Sequence, residues 1–391
     1  MKKIALVTGT RAEYGLLKTL IRAIQNDQDF QLQLIVTGMH LMAEFGNTYQ
    51  EIEQDGFTID ARVEDGLDGD TSAAITKSMG RAMVGFADVF ERLKPDLLIV
   101  LGDRSEILVA VTAAMIASIP VAHIHGGETT EGAYDEFIRH AITKMSHLHF
   151  ASTEAYRNRI IQLGENPTKV FNVGAIGIDS IRRLELLDKK SFEASISKKL
   201  DKKAVLVTFH PVTLEDASSE KQFQALLQAL DILKDTTLIF TKPNSDKGGH
   251  IISKMIDDYV TQKPAKAISF HSLGQLRYLS ALQYVDFVIG NSSSGILEVP
   301  YFKIPTINIG DRQKGRIMPS SVINCTPEYE HINRAITLAG TNQFLSKIQQ
   351  QQNLYGEGNA THQIIKQIKK FDFTQKKKSF YDLNTQHFEK L

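Results

Sequence analysis

Short apolar runs alternate with longer stretches of helical spacing along most of this chain. Ile4–Thr8, Leu32–Thr37, Leu97–Leu101, Ile119–Ile124 and Leu148–Ala151 are rich in valine, isoleucine and leucine. They are largely apolar throughout rather than at every second residue, the mark of strands covered on both faces. Between them, Leu16–Gln25, Ser72–Leu93, Ser105–Ser118, Asp135–Lys144 and Glu154–Gly164 carry apolar residues three and four apart. That spacing predicts helices with one buried face. Strand and helix in alternation predict βαβ units and a mostly parallel, doubly wound sheet.

The pattern fades near Ile178–Lys203, where the chain turns charged and lysine-rich, as in Leu187-Asp188-Lys189-Lys190. It then resumes, with strands expected at Val205–Phe209, Thr237–Thr241, Ala267–Phe270, Phe287–Ile289 and Thr306–Ile309. Helices are expected between them at Glu220–Leu233, Ile251–Thr261, Leu276–Leu282 and Gly295–Pro300. The fold class read from this is α/β, with two Rossmann-like domains of parallel sheet around a central cleft. The expected divisions are 1–178, 179–371 and a peripheral polar tail, 372–391, that holds Lys376-Lys377-Lys378.

Composition narrows the function classes. The 391 residues include 45 basic and 45 acidic ones, so no net field draws nucleic acid or an anionic membrane. Any anionic ligand must be held by local groups. A single cysteine, Cys325, excludes an intrachain disulfide framework and fits a reducing compartment. The opening Met1–Val7 run is too short for a secretory signal, and no segment has the length of a membrane span. The expectation is a cytoplasmic protein.

Candidate chemistry gathers just past the predicted strand ends. Gly102-Asp103-Arg104-Ser105-Glu106 and His123-Ile124-His125-Gly126-Gly127-Glu128 each follow an apolar run, and Tyr134-Asp135-Glu136-Phe137-Ile138-Arg139-His140 comes next. Ionisable groups this dense are costly inside a core unless paired. Strand ends are where an open α/β sheet builds its binding crevice. Asp103, Glu128 and Asp135 are candidates for proton transfer, which needs a carboxylate or imidazole of displaced pKa. The competing readings are ion pairing of Asp103 with Arg104 or Arg139, and a metal held by His123 and His125. No helical HExxH or cysteine pair supports a metal.

Other loops suggest anion binding. Thr8-Gly9-Thr10-Arg11 opens the first predicted helix, whose N-terminal N–H groups and Arg11 suit an anion; an ordinary turn with a surface arginine is the alternative. Gly290-Asn291-Ser292-Ser293-Ser294-Gly295 offers hydroxyls and backbone donors to a phosphate beyond what helix capping needs, and Glu298 is placed to accept from a ribose diol. His210, in Phe209-His210-Pro211-Val212-Thr213, ends the second domain's first strand, with Pro211 stiffening its exit. Pro243-Asn244-Ser245-Asp246 reads equally as ligand loop or surface turn.

Taken in order, these motifs resemble the hydrolysing UDP-N-acetylglucosamine 2-epimerases of the bacterial sialic acid route. The resemblance rests on Val7–Tyr14, Val36–His40, Leu101–Arg104, His123–Glu128, Tyr134–Ser146, Phe209–Thr213, Gly290–Gly295 with Glu298, and Ile307–Arg316. It implies a GT-B fold and a reaction in which a base takes the C2 proton while UDP leaves C1. Water then adds to the 2-acetamidoglucal to give N-acetylmannosamine and UDP, with no metal or redox cofactor. It further implies catalytic roles for Asp103, Asp135, His125, Glu128 and His210. Gly9, Arg11, His40, Arg104, Asn244, Ser292, Ser293, Ser294, Gly295 and Glu298 would contact the UDP-sugar. A homodimer or homotetramer is the assembly it suggests. Several relatives carry an acid where this chain has His125, so the proton carrier falls to His125 or Glu128. The alternatives are a 2-epimerase acting on UDP-2,4-diacetamido-2,4,6-trideoxyglucose in the legionaminic acid route, a GT-B glycosyltransferase, and a nucleotide-sugar-binding regulator without turnover.

Overall fold

Each apolar run in the first half becomes a strand of one parallel sheet. The computed structural model describes residues 1–66, 71–129, 134–211, 219–243 and 249–383. Its first sheet contains β1 (Lys2–Thr8), β2 (Phe30–Thr37), β3 (Ala61–Val63), β4 (Leu97–Leu101), β5 (Val121–Ile124), β6 (Leu148–Ala151) and β7 (Val170–Asn172). The order is β3-β2-β1-β4-β5-β6-β7, and every neighbouring pair is parallel. The edge strands β3 and β7 escape a pattern search because three residues are too few to show a period.

Alternate residues of the central strands feed two cores. Ile4, Leu6, Leu34, Val36 and Ile99 pack with Leu17, Leu20, Ile21 and Ile24 of the helix Arg11–Gln25. Ala5, Val7, Ile35, Leu98 and Val100 face the other way, onto Phe86 and Phe90 of Ser72–Leu93 and Ile107, Ala110 and Val111 of Ser105–Ile116. Burial of each Leu, Ile or Phe contributes about 1.5–3 kcal/mol, so strands apolar on both faces stabilise both layers at once.

The second sheet repeats the plan with β8 (Lys203–Thr208), β9 (Thr236–Thr241), β10 (Ala267–Phe270), β11 (Phe287–Gly290), β12 (Thr306–Ile309) and β13 (Val322–Cys325). Its order is β10-β9-β8-β11-β12-β13, again all parallel. In each sheet the strand order reverses beside the first strand, at β1/β4 and at β8/β11. The carboxyl ends of such pairs form the ligand crevice of doubly wound folds.

The C-terminal divisions differ from the sequence expectation. The chain forms two compact units, Met1–Ser180 with Tyr355–Leu391, and Ile181–Leu354. Residues 355–371 therefore join the first unit rather than the second. Asp179 explains the attachment: its buried carboxylate accepts the Ala360 and Thr361 N–H groups at 2.9 and 2.6 Å. It thereby caps the helix Ala360–Lys369, whose Ile364 and Ile368 enter the first core. The tail is not peripheral over its described part either. Lys378 Nζ lies 2.7 Å from Glu165 and donates to the Lys144 and Ser146 carbonyls, and Phe380 covers Gly164. A lysine run reads as solvated in sequence, yet a buried carboxylate captures one of its three members.

Candidate active site

In the first unit the turn after β1 is closed from within. Thr10 and Glu13 form a capping box: Glu13 N–H donates to Thr10 Oγ1, while Glu13 Oε2 accepts Gly9 N–H at 2.8 Å and Thr10 N–H at 3.2 Å. The expected supply of free N–H groups for an anion is thus corrected at Gly9, Thr10 and Glu13, whose donors are already satisfied. Arg11 is half exposed and its Nε donates to Glu51 at 3.0 Å. His40 is fully buried, with Nε2 3.1 Å from Thr8 Oγ1 and Nδ1 2.8 Å from Thr48 Oγ1; burial pushes it down to about 4.

Beside this turn stands Glu106, buried at the start of Ser105–Ile116. A Cβ added to Gly9 would sit 2.6 Å from its Oε1, so only glycine fits there. Its Oε1 accepts Arg104 Nε at 2.5 Å and its Oε2 accepts the Ser105 hydroxyl at 3.2 Å. Burial, with the Glu106 charge next to it, pushes the Glu13 carboxyl up to about 8. Burial also raises Asp135, against the opposing pull of the Arg104 guanidinium.

Asp103 pairs with Arg139, whose side chain is almost wholly buried, and Glu136 lies 3.8 Å from the same guanidinium. His123 is buried on β5 and held down at about 3 by burial; Nε2 meets the Gly102 carbonyl at 2.8 Å and Nδ1 meets Thr143 at 3.2 Å. His125 Nε2 accepts the Ile176 N–H at 3.2 Å, and its Nδ1 lies 3.5 Å from Glu128. Both imidazoles of the metal reading thus have protein partners at each ring nitrogen. A cavity of about 610 Å³ in this unit, lined by Phe90, Ile116, Pro120 and Phe373, lies at the opposite, amino ends of β4 and β5.

In the second unit Asn291 organises the strand ends. It is fully buried, accepts His210 N–H at 2.7 Å and donates to the His210 carbonyl at 2.8 Å. Arg312 and Gln313 donate to its backbone oxygen at 3.1 and 2.9 Å. Gly290 has φ +141, and a Cβ there would meet the Thr208 carbonyl at 1.9 Å, so the loop leaves β11 only through glycine. Burial and then Arg312 push His210 down to about 4, leaving a neutral imidazole whose Nδ1 is buried without a partner among the described residues. Tyr278 donates to Ser294 Oγ at 2.7 Å, and Ser294 in turn bonds Glu298, whose carboxyl is raised by burial. Ser294 therefore positions Glu298, a use the sequence reading did not give it. Ser292 Oγ accepts the Ser294 N–H at 3.4 Å, Ser293 is the N-cap without a side-chain capping bond, and Gly295 packs on Thr306. Asn244, Val212 and Thr213 lie outside the described residues.

The first unit thus gathers Gly9, Arg11, His40, Asp103, Arg104, His125, Glu128 and Asp135 at the strand ends, and the second gathers His210, Ser292–Gly295 and Glu298. Three buried groups went unassigned from sequence. Glu13 had a signal, the Thr-x-x-Glu spacing of a capping box. Glu106 stood in the Gly102–Glu106 cluster without a role of its own, and Ser152, which donates to Glu128 at 2.7 Å, had no signal, since that partner comes from another strand end.

A family model described as UDP-N-acetylglucosamine 2-epimerase matches residues 22–369. A Campylobacter jejuni protein named GDP/UDP-N,N'-diacetylbacillosamine 2-epimerase (hydrolyzing) is 46% identical over 323 residues, 83% of this chain and 84% of that one. Polysialic acid biosynthesis protein P7 of Escherichia coli is 42% identical over 389 residues, 98% of each. The crystal structure of a Neisseria meningitidis UDP-GlcNAc 2-epimerase bound to UDP-GlcNAc superposes with a TM-score of 0.82 at 20% identity, over 94% of this chain and 100% of that one. That likeness places the fold among the GT-B-like α/β proteins, as the strand–helix alternation and the resemblance together implied. The chain belongs to the UDP-N-acetylglucosamine 2-epimerase family.

Proposed function

We propose, with that family membership as premise, that the chain is a hydrolysing 2-epimerase of a UDP-2-acetamido sugar. A carboxylate removes the C2 proton as UDP leaves C1, and water adds across the resulting 2-acetamidoglucal. For UDP-N-acetylglucosamine the products are N-acetylmannosamine and UDP, the sugar then serving sialic acid synthesis. The observation that carries the reading is Asp135: a half-buried carboxyl, raised by burial, beside the Arg104 charge. A base of that kind sits nearer neutral pH than an ordinary carboxylate and accepts a carbon-bound proton more readily. Asp103, oriented by Arg139, is its partner. Neutral His210, with Ser292, Ser293 and Asn244, supplies donors to the departing diphosphate, and Glu298 takes the ribose hydroxyls. Arg11, half exposed at the helix start, adds charge for an anion. A cytoplasmic location and a homodimer or homotetramer belong to the same proposal.

A second sugar has a specific observation in its favour. The Campylobacter jejuni relative, at 46% identity, is named for diacetylbacillosamine. UDP-N,N'-diacetylbacillosamine would use the same nucleotide and C2 chemistry and differ only at C4 and C6. The test is to incubate pure protein with each UDP-sugar and follow UDP release and the free sugar by NMR. N-acetylmannosamine with UDP supports the first reading, and faster turnover of the 4-acetamido sugar selects the second. UDP-N-acetylmannosamine without free UDP removes hydrolysis from both.

A further inference from the structure

Among the described candidate residues, His125 is the one non-glycine residue held in a left-handed backbone, at φ +64. Such strain persists only where surrounding contacts over-determine it. Here they come from three directions within one unit. Ser152, fully buried just past β6, donates to Glu128 Oε1 at 2.7 Å. The same oxygen lies 3.5 Å from His125 Nδ1. On the far side of the ring, Ile176 N–H donates to Nε2 at 3.2 Å.

We propose that Ser152 is a positioning residue: by holding Glu128 it fixes His125 as the Nδ1–H tautomer, an orienting group rather than the carrier of the sugar's proton. A backbone N–H only donates, so Nε2 presents its lone pair to Ile176 and the ring proton sits on Nδ1, toward the carboxylate. A second proton on Nε2 would set two donors against each other and strip Ile176 of its acceptor. Among the described residues, Glu128, on the same loop, and His123, on β5, are titratable neighbours that would feel that charge. Proton transfer at C2 then stays with the carboxylates. This inference rests on the proposed reaction only in naming which proton His125 does not carry.

The test reads tautomer and kinetics separately. In 15N spectra of the wild-type protein at neutral pH, His125 is expected to show a protonated Nδ1 and an unprotonated Nε2. An Nε2–H or imidazolium signature would overturn the proposal. Ser152→Ala should lower kcat about tenfold, as loss of an outer partner commonly does, while KM stays within about twofold. Wild-type kcat in that variant would also overturn it. His125→Gln keeps an acceptor for Ile176 and a donor for Glu128 but cannot titrate. It is expected to turn over more slowly while keeping both limbs of the kcat–pH profile; a lost limb identifies His125 as the carrier. Should Ser152→Ala fail to fold, the spectrum and His125→Gln decide alone. Wild-type protein that releases no UDP from either sugar refutes the proposed function, and the ring-nitrogen spectrum still decides the tautomer.

Discussion

At the strand ends of the first unit charge is met by charge: Asp103 by Arg139 and Arg104 by Glu106. At those of the second, neutral dipoles do most of the holding, with Arg312 donating to the Asn291 carbonyl. The Asn291 amide is stitched to the His210 backbone, and Tyr278 steadies Ser294. The difference is one of titration. Burial displaces the pKa values of the groups crowded there, with neighbouring charges adding to it, and the first unit spans Glu13 at about 8 and His123 at about 3. Such a spread suits the movement of a proton. The second unit holds His210 down at about 4 and keeps its donors fixed, which suits an anion whose charge grows as it leaves.

The largest effect expected to break this contrast is at Asp135. Asp135→Asn should lower kcat by about 10²–10⁴-fold, the range for loss of a general base, with UDP affinity near wild type by calorimetry. Turnover within about tenfold of wild type would move the proton chemistry out of the first unit. Next comes Asn291→Ala, which leaves the buried His210 N–H and carbonyl without that amide. It should cost about 2–4 kcal/mol in urea unfolding and weaken UDP binding, while the same change at an exposed serine would not.

Glu13 sharpens the contrast through pH. Its folded pKa, about 8, lies above the unfolded value, so between the two the native state binds more protons than the unfolded chain. Stability from this group is full below pH ~4.5 and falls as pH rises toward about 8. Glu13→Gln should flatten that decline in melting experiments across pH 5–8. Glu165 behaves in the opposite sense: burial alone would raise it, but His149, Lys144 and Lys378 hold it down at about 2, so its contribution is lost only on acidification through that range. The smallest effect is Arg11→Ala. Its exposed pair with Glu51 is worth less than about 1 kcal/mol, so melting should barely change. Any loss of UDP affinity then reports binding rather than folding, and unchanged affinity removes Arg11 from the anion site.

Much of the fold was legible because its central strands are apolar on both faces and its longer helices amphipathic. The Leu97–Leu101 run needs no partner to announce a buried strand. Short edges such as Val170–Asn172 and the returning helix Ala360–Lys369 were not, since pairing and docking, not pattern, define them. Within the site, Asp103 and His210 stood out by falling just after strand runs, and Asp135 by the density of charge around it. What they touch did not. Glu106 against Gly9, Ser152 on Glu128, and Lys378 in the Glu165 pocket join residues 24 to 213 positions apart in sequence.

The sequence by itself determined that two parallel sheets would form and that polar residues would crowd their carboxyl ends, because burial and periodicity are local properties of a chain. Only the tertiary structure decided which charges are paired, which imidazole lone pair is taken, and which N–H groups remain for a ligand. Those depend on distances between strand ends that no spacing along the chain encodes. That is why the turn after β1 keeps its place in the candidate site yet closes on its own Glu13, and why His125 is held between Glu128 and the backbone of Ile176.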